Sequence, residues 1–244
     1  WSLPDIQIEA SKPDICLGKS VKLTAINGVS GKYEWIVPSG KTTDKVTVKP
    51  TTSGTKTYEV RGEDINGCKN TATQSIIVYD HPTLTIPPVA DVCRGTEATL
   101  VANGSASYYE WTIKDNSTVI GSSSTITTKV TPNSMDEKSV TFHVVATDMN
   151  TCVSEGDVTV GVKEYPTPSY KTNTQYDFVC KGQNITINLS GADEWEWTDN
   201  QSTDATRTEK LNSQKTFTVI GTTDGCSTSL PINIGIWPLP DFSL

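Results

Sequence analysis

Apolar and polar residues alternate in three stretches that start from the same local landmark. Val21, Leu23 and Ala25 face one way, with Lys22 and Thr24 opposite. Ala98, Leu100 and Ala102 repeat this, and Ile185, Ile187 and Leu189 repeat it again. Each stretch begins three residues after a glycine (Gly18, Gly95, Gly182), and each glycine stands two residues after a cysteine. Period-two alternation of this length predicts a half-buried antiparallel strand. The next predicted strand carries Tyr33, Glu34 and Trp35 in the first case, Tyr109, Glu110 and Trp111 in the second, and Trp195, Glu196 and Trp197 in the third. Alternation turns both aromatics inward and the glutamate outward.

Further strands are predicted around Tyr58, Phe142 and Phe217, each running into a turn that ends on a cysteine: Asp64 to Cys68, Asp148 to Cys152, Thr223 to Cys226. Asn-Gly and Asp-Gly in these turns tolerate the positive φ of a hairpin. A closing strand follows each time, with Ile76 and Val78, then Val158, Val160 and Val162, then Ile232, Ile234 and Ile236 facing in. Trp35, Trp111, Trp197, Tyr58, Phe142 and Phe217 are therefore the expected core aromatics.

The six cysteines fall into this rhythm as Cys16 and Cys68, Cys93 and Cys152, Cys180 and Cys226. The tryptophan follows the first cysteine of each pair by 19, 18 and 17 residues. A period near 80 residues marks one structural unit in tandem, large enough for a core of its own. The expected domains are 1–80, 81–165 and 166–238. Proline marks each junction at Pro82, at Pro166 with Pro168, and at Pro238 with Pro240, where a missing amide donor ends pairing. The opening Trp1 to Ile8 is echoed by Trp237 to Leu244, so residues 239–244 are read as the start of a truncated fourth copy.

Composition sharpens the class. Hydrophobic residues reach only 35% and the formal net charge is −8. Abundant threonine, with scarce alanine and leucine, is the profile of an all-β protein with solvated outer faces. The acidic balance argues against binding a phosphate backbone, so no nucleic-acid partner is expected. No apolar run is long enough to span a bilayer, and no leader is visible; any leader is read as removed. Six cysteines allow 15 pairings. One pair per copy makes pairing within each copy the economical expectation, and such a loop of about 50 residues is worth roughly 4 kcal/mol. Structural disulfides imply an oxidising compartment. Zinc is disfavoured, since no CxxC or Cys/His cluster occurs.

The pattern of Cys-x-Gly, alternating strand, aromatic-x-Trp strand, Tyr/Phe strand and Asn-Gly-Cys turn resembles the tandem immunoglobulin-like or PKD-like repeats of large surface and secreted proteins of Bacteroidetes-type bacteria. The resemblance implies three β-sandwich domains at the cell surface, associated with the outer membrane, or secreted. It departs from antibody domains, where the second cysteine follows the tyrosine by two residues mid-strand. Here it follows by nine or ten and sits at a turn, so each bridge is expected to hold one end of a sandwich. Six strands per copy would place both cysteines at that end. A seventh would separate them unless the first connection doubles back.

Candidate chemistry is sparse. Tyr108 and Trp237 are the outward aromatics that offer ligand contacts, for a glycan or a protein surface. Glu63 with Asp64, and Asp193, Glu194, Asp199 and Asp204, are acidic loop residues considered for calcium; no EF-hand spacing is present, and solvated turn formers are the plainer reading. His81 and His143 have no nucleophile at recognisable spacing, and no hydrolase, zincin or P-loop motif occurs. No cofactor and no catalytic residue is expected. Asn103, Asn116, Asn184, Asn188 and Asn200 open sequons, which a bacterial source would leave unmodified. The expected role is a non-catalytic segment of an adhesin or stalk whose other partners are further repeats of the same chain. The alternative is a set of accessory polysaccharide-binding or spacer modules attached to a secreted enzyme.

Overall fold

The computed structural model describes residues 2–237. Trp1 and residues 238–244, where the expected fourth copy opens, lie outside the described residues. Every regular element among the described residues is a β-strand, so the chain is all-β. Contacts divide it into two compact units: Trp1–Pro87 with Val101–Ile126 and Phe142–Val158, and Pro88–Leu100 with Thr127–Thr141 and Thr159–Leu244.

In the first unit, Gln7–Ala10, Val21–Ile26 and Lys45–Val48 form one antiparallel sheet in that order. A second sheet runs Asp14–Cys16, Lys69–Tyr79, Gly54–Glu63, Glu34–Val37. Their inward residues, among them Leu23, Trp35, Tyr58, Val60 and Ile76, make one core. Between Ala10 and Asp14 the chain changes sheet. Pro13 sits in this crossing, where its lack of an amide costs no ladder bond, while its carbonyl accepts from the Ile77 amide at 3.2 Å. The crossing supplies the seventh strand: Asp14–Cys16 runs parallel to the end of the closing strand, with Cys16 opposite Tyr79. The first unit also holds Tyr108–Ile113 paired with Thr118–Gly121 on one side and with Phe142–Thr147 on the other.

The second unit repeats the plan. Ser169–Thr172, Gln183–Ser190 and Thr206–Leu211 form one sheet. Phe178–Cys180, Cys226–Trp237, Lys215–Thr223 and Glu194–Trp197 form the other, with Cys180 opposite Trp237 in a parallel pair. Val92–Cys93 likewise runs parallel to Val162 and Lys163. The span from Trp197 to Cys226 is shorter than its counterpart after Trp111 for a visible reason. The Thr118–Gly121 strand has no counterpart between Glu194–Trp197 and Thr206–Leu211, where only a loop intervenes.

The three tryptophans are buried, at 1% exposure for Trp35 and 0% for Trp111 and Trp197. Tyr58, Phe142 and Phe217 are buried as well. Each indole N–H donates to a backbone carbonyl: Trp35 to Thr43 at 2.8 Å, Trp111 to Ser123 at 3.0 Å, Trp197 to Asp204 at 2.8 Å. A buried indole left without an acceptor would carry a desolvation penalty, so these carbonyls fix the loop after each tryptophan strand.

The expected pairing of cysteines within each copy is corrected by this topology. Cys16 lies beside the last residue of the closing strand Lys69–Tyr79, whereas Cys68 immediately precedes its first. Eleven strand residues at ~3.3 Å each separate them by roughly 35 Å, against the ~4.4–6.8 Å between Cα atoms that a disulfide requires. Cys180 and Cys226 stand at opposite ends of Cys226–Trp237 in the same way. The bonds formed are Cys16–Cys152, with Cα atoms 5.5 Å apart, and Cys93–Cys226, with Cα atoms 5.7 Å apart. Cys68 and Cys180 are free thiols.

Candidate functional site

Both bridges obey one rule: the strand cysteine of one copy meets the turn cysteine of the copy that follows. Each half is built locally. At Cys16 the edge strand ends, the Leu17 amide donates to the Tyr79 carbonyl at 2.8 Å and the Lys19 amide to the Cys16 carbonyl at 3.0 Å. Gly18, at φ 78°, makes that reversal possible without a Cβ clash. At Cys93 the Thr96 amide and hydroxyl both donate to the Cys93 carbonyl, at 2.9 and 2.7 Å.

The turn cysteine is placed by an aspartate. Asp148 Oδ1 accepts from the Asn150 and Cys152 amides at 2.8 and 2.9 Å. The Asp148 amide donates to the Cys152 carbonyl at 3.0 Å. Asp64 holds Cys68 identically, accepting from the Asn66 and Cys68 amides at 2.9 and 2.8 Å. Aspartate suits this position because a short carboxylate reaches amides two and four residues ahead. Cys226 follows a tighter turn, with Asp224 and Gly225 both at positive φ, as a two-residue hairpin demands.

A polar side chain two residues beyond each turn cysteine ties back to a proline. Asn70 donates to the Pro4 carbonyl at 2.8 Å, Ser154 to Pro82 at 2.6 Å and Thr228 to Pro166 at 3.0 Å. Sequence reading found Pro82 and Pro166 as junction prolines but not Pro4, and missed the partners of all three; the signal was a hydrogen-bonding residue at a constant offset from the second cysteine. Next to Pro82, His81 faces the carbonyls of Val153 (Nδ1, 2.7 Å) and Leu17 (Nε2, 3.0 Å), each one residue beyond a cysteine of the Cys16–Cys152 bridge. Beside the other bridge, Lys163 donates to the Asp224 carbonyl at 3.1 Å. The residue after Pro166 also packs tightly: a Cβ on Gly191, at φ +93°, would lie 2.3 Å from the Thr167 carbonyl oxygen.

Arg94, directly after Cys93, and Glu164, directly after Lys163, form a bidentate pair. Arg94 Nε meets the two carboxylate oxygens at 3.0 and 2.9 Å, and Lys138 adds a contact at 3.0 Å. Arg94 also donates to the carbonyls of Ser134, Met135 and Glu137, pinning that loop. Hydrogen bonds from Arg94 first and Lys138 second hold the Glu164 carboxyl down to about 2, from an ordinary 4.5. A carboxyl held lower in the fold than in the open chain stabilises the fold above its ordinary value, and that contribution fades as pH falls from 4.5 toward 2. The thermal midpoint is expected to drop through this window, and Glu164→Gln is expected to lose that part of the drop. An unchanged pH profile in the variant would refute the clasp.

The other sequence-level candidates have separate fates. Tyr108 is 49% exposed and Trp237 is 51% exposed. They belong to different compact units, and Trp237 packs on Phe178 with ring centroids 4.7 Å apart. The acidic residues considered for calcium are mostly engaged. Glu63 meets Lys32 and Lys69 at 4.0 and 3.7 Å, and Asp64 caps its turn. Asp199 meets Arg207 at 2.6 Å and Lys215 at 3.4 Å, and its pKa is lowered chiefly by the Arg207 hydrogen bond. Arg207 in turn lies over the rings of Trp197 and Phe217, at 5.0 and 4.7 Å, shielding that end of the core. Asp204 accepts from the Ser202 hydroxyl at 2.9 Å. Asp193 and Glu194 line an open cleft of ≈ 600 Å³ with Trp195, Glu196 and Gln201. Among the described residues no group of three or more His, Cys, Asp or Glu is placed to hold a metal.

No family model matches the sequence, and no curated protein matches it. Among solved structures the chain is similar to an I-band fragment of titin, at 17% identity and a TM-score of 0.45, over 97% of this chain and 99% of that one. It is also similar to fibronectin(III)-like modules of Clostridium thermocellum CbhA, at 17% identity and a TM-score of 0.36, over 64% of this chain and 94% of that one. A third likeness is to a Ca²⁺-stabilised adhesin with which an Antarctic bacterium binds ice, at 10% identity and a TM-score of 0.40, over 98% and 75%. Likeness of this order carries no argument about function.

Proposed function

We propose that the chain is a run of three immunoglobulin-like β-sandwiches, at about 1–80, 81–165 and 166–238, and that it serves as a non-catalytic stalk or adhesin segment of a surface or secreted protein. The observation that carries the reading is the staggered cross-linking. A bridge that spans 136 residues of sequence, interleaved with one that spans 133, ties each copy to its successor rather than clamping a copy to itself. Such bonds do little for a soluble catalyst and much for a segment that transmits tension between two attachments. They also support the reading that the protein works in an oxidising compartment, outside the cytosol. The buried Trp-centred cores and the proline-tied junctions resist local opening, as a spacer exposed to proteases requires.

The accessory-module reading rests on the exposed aromatics, and one measurement separates the two. Immobilised chain presented with a panel of soluble polysaccharides is expected to show no saturable binding if it is a stalk. Saturable binding weakened tenfold or more by Tyr108→Ala or Trp237→Ala would favour the accessory reading instead.

A further inference from the structure

We infer that the strand Glu194–Trp197 is a docking edge for a basic extended peptide, which adds to it as one more antiparallel strand with Lys or Arg at alternate positions. The inference goes beyond the stalk reading and does not depend on the bridges. It starts from topology. Tyr108–Ile113 has a strand on each side, whereas its counterpart Glu194–Trp197 ends its sheet, with Lys215–Thr223 on one side only. A strand at the end of a sheet offers unpaired backbone groups, which are a ready template for another chain.

Register decides which groups are on offer. The Thr198 amide donates to the Thr218 carbonyl at 3.0 Å, and in an antiparallel ladder the residues that bond across the pair recur at every second position. Glu196 and Glu194 therefore bond inward, opposite Ile220 and Thr222. The amides and carbonyls of Trp195 and Trp197 turn to the open side. Those of Trp197 are used within the chain: the amide donates to the Ser202 carbonyl at 2.9 Å, and the carbonyl accepts from the Gln201 amide at 2.8 Å. Trp195 keeps an amide and a carbonyl with no backbone partner among the described residues. The open cleft of ≈ 600 Å³ is lined by Trp195 itself, and Gln201 and Thr203 add polar side chains to it.

Charge chooses the occupant. Glu194 and Glu196 are exposed, on the face opposite the buried Trp195 and Trp197, and Asp193 is exposed beside them. None of the three has an ion-pair partner among the described residues; the cations Arg207 and Lys215 of the same unit are held by Asp199 and Glu209. Side chains on one face of a strand recur every second residue, and directly opposed ones stand ~4.5–5.5 Å apart across a pair. An incoming strand with Lys or Arg two residues apart therefore meets Glu194 and Glu196 together. A second copy of the chain fits badly. Edge against edge would set glutamate opposite glutamate, in a chain of formal net charge −8.

The test titrates the full chain, isotopically labelled for amide NMR, with a short blocked peptide in which threonine and lysine alternate. Saturable movement of the Trp195 amide signal is expected. N-methylation of the central peptide amide is expected to weaken binding about threefold or more, through loss of one backbone hydrogen bond. Glu194→Gln with Glu196→Gln is expected to weaken it about fivefold or more, through loss of two cross-strand charge pairs. Glu194→Lys with Glu196→Lys is expected to reverse the preference, taking up a peptide in which threonine and glutamate alternate. Both glutamates are exposed, so these changes leave the core intact. No saturable movement, equal affinity for the N-methylated peptide or for one of the same composition with its lysines side by side, or self-association of the chain at this strand in place of peptide binding would each overturn the inference. The polysaccharide panel that tests the stalk reading is a separate measurement, so either can fail without the other.

Discussion

Pulled by its two ends with both bridges intact, the chain is expected to reach only about two fifths of the length it reaches after reduction. The reason is connectivity. Without bridges, the path from Cys16 to Cys226 is the whole intervening backbone, roughly 730 Å at ~3.5 Å per residue. With them, three stretches run in parallel between the two bridges: 16–93, 152–226, and 93–152 traversed backwards from Cys152 to Cys93. The last is the shortest, about 60 residues, and sets the limit at roughly 210 Å at full extension. Both bridges lie on that route. Single-molecule extension with and without reductant measures this directly. Equal contour lengths in the two conditions would show that the bridges do not lie in the tension path.

Replacing Cys16 and Cys152 together by alanine is expected to lower the stability of the folded chain by about 5 kcal/mol, the chain-entropy value for a loop of this size. For a chain of this length that corresponds to a fall in Tm of roughly 10–20 °C. The large figure follows from the long separation of 136 residues; the local pairing expected from the sequence would have closed a loop of about 50 residues and contributed less. Removing both partners avoids a stray thiol, and the Cys93–Cys226 bond remains as an internal control. A Tm within 2 °C of the parent would contradict the account.

The strands were legible because their signal is local. Val21, Leu23 and Ala25 alternate with polar residues, and all three are buried; the same holds for Ala98, Leu100 and Ala102. The tryptophans announced themselves by the same phase. The disulfide partners were not legible, because pairing depends on which end of a sandwich each cysteine occupies. That end is decided by a three-residue strand, Asp14–Cys16, whose only sequence marks are Pro13 and a single buried Ile15. Three residues carry too little periodicity to separate a strand from a loop. Once that strand runs parallel to Lys69–Tyr79, Cys16 is carried to the far end from Cys68, and a local bond becomes geometrically impossible. The junction contacts escaped for a related reason: Asn70, Ser154 and Thr228 differ in kind and share only an offset and the ability to donate a hydrogen bond.

Because the two covalent loops overlap, a single peptide-bond cut anywhere from Cys16 to Cys226 leaves no loose fragment. A nick near residue 50 is spanned by Cys16–Cys152, one near residue 190 by Cys93–Cys226, and one near residue 120 by both. Modules closed only upon themselves would part at the first severed linker. An attacking protease has to strike the chain at least twice before anything downstream comes away.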